Sequence, residues 1–113
     1  MPISSLKNQK EFDLVSKAGK NLYSRHFIAV IAKNWTSILH DQPNILYFGM
    51  KVGKKLGNAV VRNKIKRRIR HLAMLLSKKR TSQSSSGGMI IIPRKGFEKV
   101  QFSTLLKDIE NIF

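Results

Sequence analysis

Val61, Ile65, Ile69, Leu72 and Leu76 recur at steps of four, four, three and four, a spacing that gathers them on one face only if the chain winds into an α-helix. Elsewhere the same stretch is cationic. From Lys51 to Arg80, thirty positions hold twelve of the chain's 22 Lys and Arg residues and no carboxylate, and after Asp41 the next acid is Glu98. Any fold must bury the apolar stripe of this helix and leave its positive faces outward. A helix that merely contacts water usually mixes signs, because Glu and Lys four positions apart support each other. That support is absent here, and a partner of dense negative charge would relieve the self-repulsion. Nucleic acid is the obvious polyanion.

A formal charge of +16 and an isoelectric point near 10.8 are too extreme for a generic soluble enzyme, while 42% apolar residues are too many for a disordered tail. The 113 residues suit a single domain, 1–113, with a modest core. The absence of Cys excludes disulfides and thiolate metal sites and fits a reducing compartment. The opening MPISSLKNQK lacks the apolar centre of a signal peptide, and no stretch reaches the length needed to cross a bilayer. The expectation is a soluble, cytoplasmic protein.

Asn8 and Glu11 have the spacing of a capping box, and Phe12, Val15 and Ala18 continue at helical period to Gly19, which predicts a first helix over about 8–18. Leu22 to Ala32 is β-branched and aromatic and reads as one strand, bent near Ser24. After a loop around Asp41, Gln42 and Pro43, ILYFGMKV supplies a second strand, expected to pair antiparallel with the first. Gly53 and Gly57 bracket the turn into the basic helix, which starts from Asn58. SKKRTSQSSSGG then reads as a flexible loop over about 77–88. Met89 to Ile92, closed by Pro93, is a short apolar strand that completes a βαβ unit with the second strand and the basic helix. Leu105, Leu106, Ile109, Ile112 and Phe113 mark a last helix, with Ser103 as its cap.

Phosphodiester hydrolysis at a protein site needs carboxylates to hold metal ions or a paired acid and base. Of the six acids, Glu11, Asp13, Asp108 and Glu110 fall on the two terminal helices, where they read as caps or solvent-facing charges. His26, His40 and His71 are scattered over a strand, a loop and a helix. Neither group suggests a metal set. Lys and Arg suit phosphate contacts instead, Arg adding planar stacking and paired hydrogen bonds. Asn63, between Arg62 and Lys64, both donates and accepts. Trp35, among polar loop residues, suits either local packing or a stacked base.

The segment GMKVGKKLGNAVVRNKIKRRIRHL resembles the signature of the bacterial ribonuclease P protein subunits. Its core is Arg62-Asn63, then Lys64-Ile65-Lys66-Arg67 and the Ile69-Arg70 pair. Phe12, Gly19, Arg25, Phe27, the MIIIPRKG strand and the closing helix follow the family's order, so the resemblance spans nearly the whole chain. It implies an α+β fold, a small α/β sandwich of α-β-β-β-α-β-α order whose mixed sheet contains a left-handed βαβ crossover, against the usual right-handed rule. It also implies partnership with a catalytic ribonuclease P RNA, which with Mg²⁺ held mainly by that RNA removes the 5′ leader of precursor tRNA. The protein would bind that RNA and the single-stranded leader, with no catalytic residue, metal site, membrane or small-molecule substrate of its own. The RNA-binding candidates are Lys51, Lys54, Lys55, Arg62, Asn63, Lys64, Lys66, Arg67, Arg68 and Arg70. The leader cleft would be lined by Phe12, His26 and Val30.

This chain departs from the family pattern where stacking would occur. Ser16 stands where relatives often have a second aromatic and Val30 where they can have Tyr; His26 falls on the same strand face as Val30 and is the candidate replacement. Phe12 suits a core anchor as well as a cleft. A ribosomal RNA-binding protein would share the charge and size, a self-sufficient nuclease would need acids in a cluster, and a membrane-surface helix would present a large aromatic face.

Overall fold

The basic helix takes shape as the stripe requires. The computed structural model describes residues 3–6, 9–33, 45–79 and 87–112. In chain order these form β1 (Ile3–Ser5), α1 (Gln9–Ala18), β2 (Lys20–Tyr23), β3 (Phe27–Lys33), β4 (Leu46–Met50), a 3-10 turn (Lys54–Leu56), α2 (Ala59–Lys79), β5 (Gly87–Pro93), a second 3-10 turn (Phe97–Lys99) and α3 (Phe102–Ile112). After β1, the order is the one the resemblance implies.

The strands make one five-stranded sheet in the order β1-β4-β5-β3-β2, parallel for β1, β4 and β5 and antiparallel where β5 meets β3 and β3 meets β2. Strand alternation sends neighbouring residues to opposite faces. Phe27, Ala29, Ile31, Leu46, Met89 and Ile91 face Ile65, Ile69, Leu72 and Leu76 of α2 and Leu105 and Ile109 of α3. On the other face Val30, Ala32, Tyr47 and Ile90 pack with Val15 of α1. The sheet is therefore filled on both sides, which explains why β5 is buried along nearly its whole length.

That burial corrects the expected pairing of the second predicted strand with the first. β5, apolar on both faces, takes the central place between β4 and β3, and a connection as long as 34–44 does not require the strands it joins to be neighbours. The predicted strand over Leu22 to Ala32 is likewise two strands. At Ser24 the chain reverses instead of bending: the Ser24 N–H donates to the Phe27 carbonyl at 2.9 Å, and the Ser24 hydroxyl accepts from the His26 N–H at 3.2 Å, closing a tight hairpin.

β1 and β2 occupy opposite edges yet run parallel, joined through α1 on one face; β4 and β5 are joined in the same direction across the sheet through α2 on the other face. Two crossovers of equal direction on opposite faces have opposite hands. One of them must break the right-handed rule, as the expected fold requires of β4-α2-β5.

Local chemistry fixes the helix ends. Asn58 caps α2, its side-chain oxygen accepting from the Val61 N–H at 3.0 Å while its carbonyl accepts from Arg62 N–H at 2.9 Å. Asn58→Ala should cost about 1 kcal/mol, read from the denaturation midpoint at unchanged m-value. Gly57 just before it has φ +144°, a conformation that disfavours any side chain. Gly19 ends α1 by close approach: a Cβ there would lie 2.8 Å from the Val15 carbonyl oxygen and 2.9 Å from that of Ile31, so glycine lets the helix end rest on β3.

Three smaller expectations change. Asn8, and with it the capping box, lies outside the described residues, while Glu11 is buried at 3% exposure and so is not a solvent-facing charge. Ser103 sits inside the first turn of α3, where Gln101 supplies the carbonyl for the Thr104 and Leu105 N–H groups. Ser77 to Lys79 belong to α2, with the Ser77 hydroxyl donating to the Met74 carbonyl at 2.7 Å, and Gly87 and Gly88 belong to β5; the rest of the predicted loop, like Trp35, lies outside the described residues.

Candidate nucleic-acid interface

The faces of α2 divide the predicted residues into three groups. Asn63, Lys64, Arg67 and Arg70 are exposed, Lys66 is half-buried, and the half-buried Arg62 has its Nε buried without a hydrogen-bond partner. Arg68 turns toward the body, where its guanidinium donates to the Phe97 carbonyl at 2.7 Å. That bond ties α2 to the turn before α3, and Phe97 is held in place by an edge-on contact with Phe27 at 6.4 Å between ring centres. Arg68 thus has a structural partner within the body of the protein. On the α3 side His71 stacks on Phe102 at 4.7 Å, so this histidine is a packing residue between helices.

Lys51, Lys54 and Lys55 are exposed around the turn that leads into α2. With no acid between Asp41 and Glu98, β4, α2 and β5 carry no opposing charge of their own. A surface of one sign raises the local concentration of counter-charged ligand and speeds its arrival.

An open pocket of about 220 Å³ lies at one end of this surface, lined by Ser5, Leu6, Phe12, Phe48, Gly49, Met50, Lys66 and Arg70. It exists because β1 is short. The β1–β4 ladder ends with the Leu6 N–H donating to the Phe48 carbonyl at 2.9 Å, and beyond that point no strand among the described residues pairs with the edge of β4. Around that edge α1, from one face, and α2, from the other, reach the same space. The Phe12 ring lies directly over Gly49, where a Cβ would come within 2.5 Å of it. Phe12, Lys66 and Arg70, remote in sequence, thereby meet.

The remaining cleft candidates sit apart from this pocket. Val30 is 5% exposed, in the core beneath α1. His26 is half-buried at the β2–β3 reversal, where its carbonyl accepts from the Arg94 N–H at 2.9 Å. The sequence reading missed Phe48 and Met50. Strand alternation could have placed them on the α2 face beside Leu46, but it could not show that the β1–β4 ladder ends at Phe48. Among the described residues no three His, Asp or Glu side chains come together as a metal-holding set, and no helix is long and apolar enough to cross a membrane.

Helices on both faces of a mixed sheet, with an acid-free cationic helix beside an aromatic pocket, define a small, strongly basic α+β protein. Comparisons with known proteins agree. The ribonuclease P family model matches residues 2–113. Over 113 residues the chain is 51% identical to the ribonuclease P protein component of Rickettsia canadensis and 48% identical to that of Rickettsia akari, each match covering 99% of this chain and 96% of the relative. The ribonuclease P protein of Thermotoga maritima superposes with a TM-score of 0.72 at 28% identity, covering 96% of this chain and 93% of that one. That of Staphylococcus aureus gives 0.71 at 27% identity, covering 96% and 90%. The chain belongs to the ribonuclease P protein family, the bacterial protein components of the ribonuclease P endoribonuclease.

Proposed function

We propose that the protein serves ribonuclease P as its RNA-binding subunit in the cytoplasm, gripping the catalytic RNA with the outer face of α2 and receiving the 5′ leader of precursor tRNA beside α1. The observation that carries this reading is the pocket where Phe12 meets Lys66 and Arg70: a flat apolar ring for a base and two cations for its phosphates in one place. Lys51, Lys54, Lys55, Arg62, Asn63, Lys64 and Arg67 extend the positive surface from that pocket along α2. Arg68 contributes through the donors that the Phe97 carbonyl leaves free. Val30, buried beneath α1, and His26, at the β2–β3 reversal, stand outside that pocket, so in this proposal Phe12 is the cleft residue that meets the leader there. Bond cleavage and the Mg²⁺ that assists it belong to the RNA in this proposal, since the described residues offer no matching donor set.

Reconstitution with ribonuclease P RNA is expected to lower the Mg²⁺ concentration needed to cleave a precursor tRNA. Lys66→Ala with Arg70→Ala is expected to weaken precursor binding and to flatten its log–log salt dependence by about 2, one for each phosphate contact removed. An unchanged slope and unchanged stimulation would remove these residues from the site. Cleavage by RNA-free protein would replace the proposal with a self-sufficient nuclease.

A further inference from the structure

Tyr23 is 69% exposed, while Val30, Tyr47 and Ile90 on its face of the sheet are buried. Its strand neighbour Leu22 packs into the α2-side core, so Tyr23 stands on the opposite, α1 face. On that face the register aligns Tyr23 with Ile28 and Ile28 with Ile92, and the Lys51 N–H, donating to the Ile91 carbonyl at 3.0 Å, carries the row on to Lys51. The next row inward is Asn21, Val30, Ile90 and Gly49, with Phe12 over Gly49 and Val30 and Ile90 at 5% and 0% exposure. α1 covers that row and stops short of the outer one. Ile28 and Ile92 are accordingly only half-buried, and Lys51 is exposed.

The outer row is a shelf of two isoleucines with a tyrosine at one end and a lysine at the other, about 14 Å apart across three strand spacings. Just past the end of β5 the Arg94 N–H donates to the His26 carbonyl, which sets exposed Arg94 beside the end of this row. Its formal charges are thus all positive. A flat apolar surface with a cationic rim matches a ligand that presents planar apolar faces joined by anions. Duplex RNA hides those faces inside its stack, whereas unpaired nucleotides expose them, and sheets bearing surface aromatics bind single strands by stacking.

We infer that the Tyr23–Ile28–Ile92 shelf, rimmed by Lys51 and Arg94, is a stacking site for an unpaired nucleotide of the 5′ leader, with Tyr23 as the residue that holds the base. This rests on the leader reading proposed above and extends it to a row that neither His26 nor Val30 accounts for. Tyr23 supplies on the edge strand the ring that Ser16 and Val30 do not.

The test uses holoenzyme reconstituted with ribonuclease P RNA, comparing affinities for a precursor tRNA with a long unpaired leader and one with a single leader nucleotide. Tyr23→Ala should shrink the preference for the long leader by about 5- to 150-fold, the range for losing one stacked base. Tyr23→Phe, which keeps the ring, should retain it. An unchanged preference in Tyr23→Ala, an equal loss on both substrates, or a loss as large in Tyr23→Phe would each overturn the shelf. If the wild-type holoenzyme shows no preference for the long leader, the leader reading itself fails and the shelf falls with it. High exposure of Tyr23 makes folding of the variants a simple check by thermal midpoint.

Discussion

Raising monovalent salt fourfold, from about 50 to about 200 mM, is expected to weaken RNA binding by this protein roughly 250- to 1000-fold. The estimate follows from counterion release. If roughly six phosphates are neutralised, the log–log slope is about −4 to −5, between the coefficients for single strands and duplexes, and a fourfold change in salt then gives that loss. Six contacts is a modest demand on a surface that offers Lys51, Lys54, Lys55, Lys64, Lys66, Arg67 and Arg70 without an acid among them. Filter binding or anisotropy with ribonuclease P RNA across a salt series would measure the slope. A slope shallower than about −2 would mean that the cationic face of α2 is not the RNA surface and that its charge serves another end.

Ile69→Ala is expected to destabilise the fold by about 2–5 kcal/mol, a large fraction of the stability of a domain this size. Ile69 is fully buried, between α2 and a sheet face formed by β3, β4 and β5, with α3 on its flank. Truncation would leave a void where three elements meet, and close packing resists collapse into it. The denaturant midpoint should drop at unchanged m-value. Because Arg70 and Arg67 ride on the same helix, RNA affinity should fall with the folded fraction and recover at lower temperature. A loss below about 1 kcal/mol would show that α2 is held by its ends, through the Asn58 cap and the Arg68 bond, more than by its stripe.

Features that depend on neighbours in sequence were the most legible. The period of four, four, three and four located α2, Asn58 announced its start, and an unbroken apolar run announced β5, because helical winding and strand burial act over a few residues. The family resemblance added the order of elements and the unusual crossover. Pairings across the chain were harder. Nothing local to Leu22–Ala32 distinguishes a bent strand from a hairpin until the Ser24 hydroxyl is seen to satisfy the His26 N–H, and the central place of β5 depends on a competition among all strands for a doubly covered position. β1, only three residues of ISS, carries no periodic signal at all. Its shortness nevertheless opens the pocket, so Phe48 and Met50 could not be read as site residues from their own surroundings. Glu11 shows the reverse: a carboxylate near a helix start suggested a cap or a solvent-facing charge, and packing of α1 on the sheet excludes the second by taking it inside.

The open edge of β4 has a mechanical consequence. Phe12 hangs from the layer on one side of the sheet and Lys66 and Arg70 from the layer on the other, with the hydrogen-bonded strand β4 between them. A sheet scarcely stretches, so the gap between ring and cations behaves like the fixed jaw opening of a caliper. A strand seated against both jaws is gauged by a dimension that neither helix can alter alone.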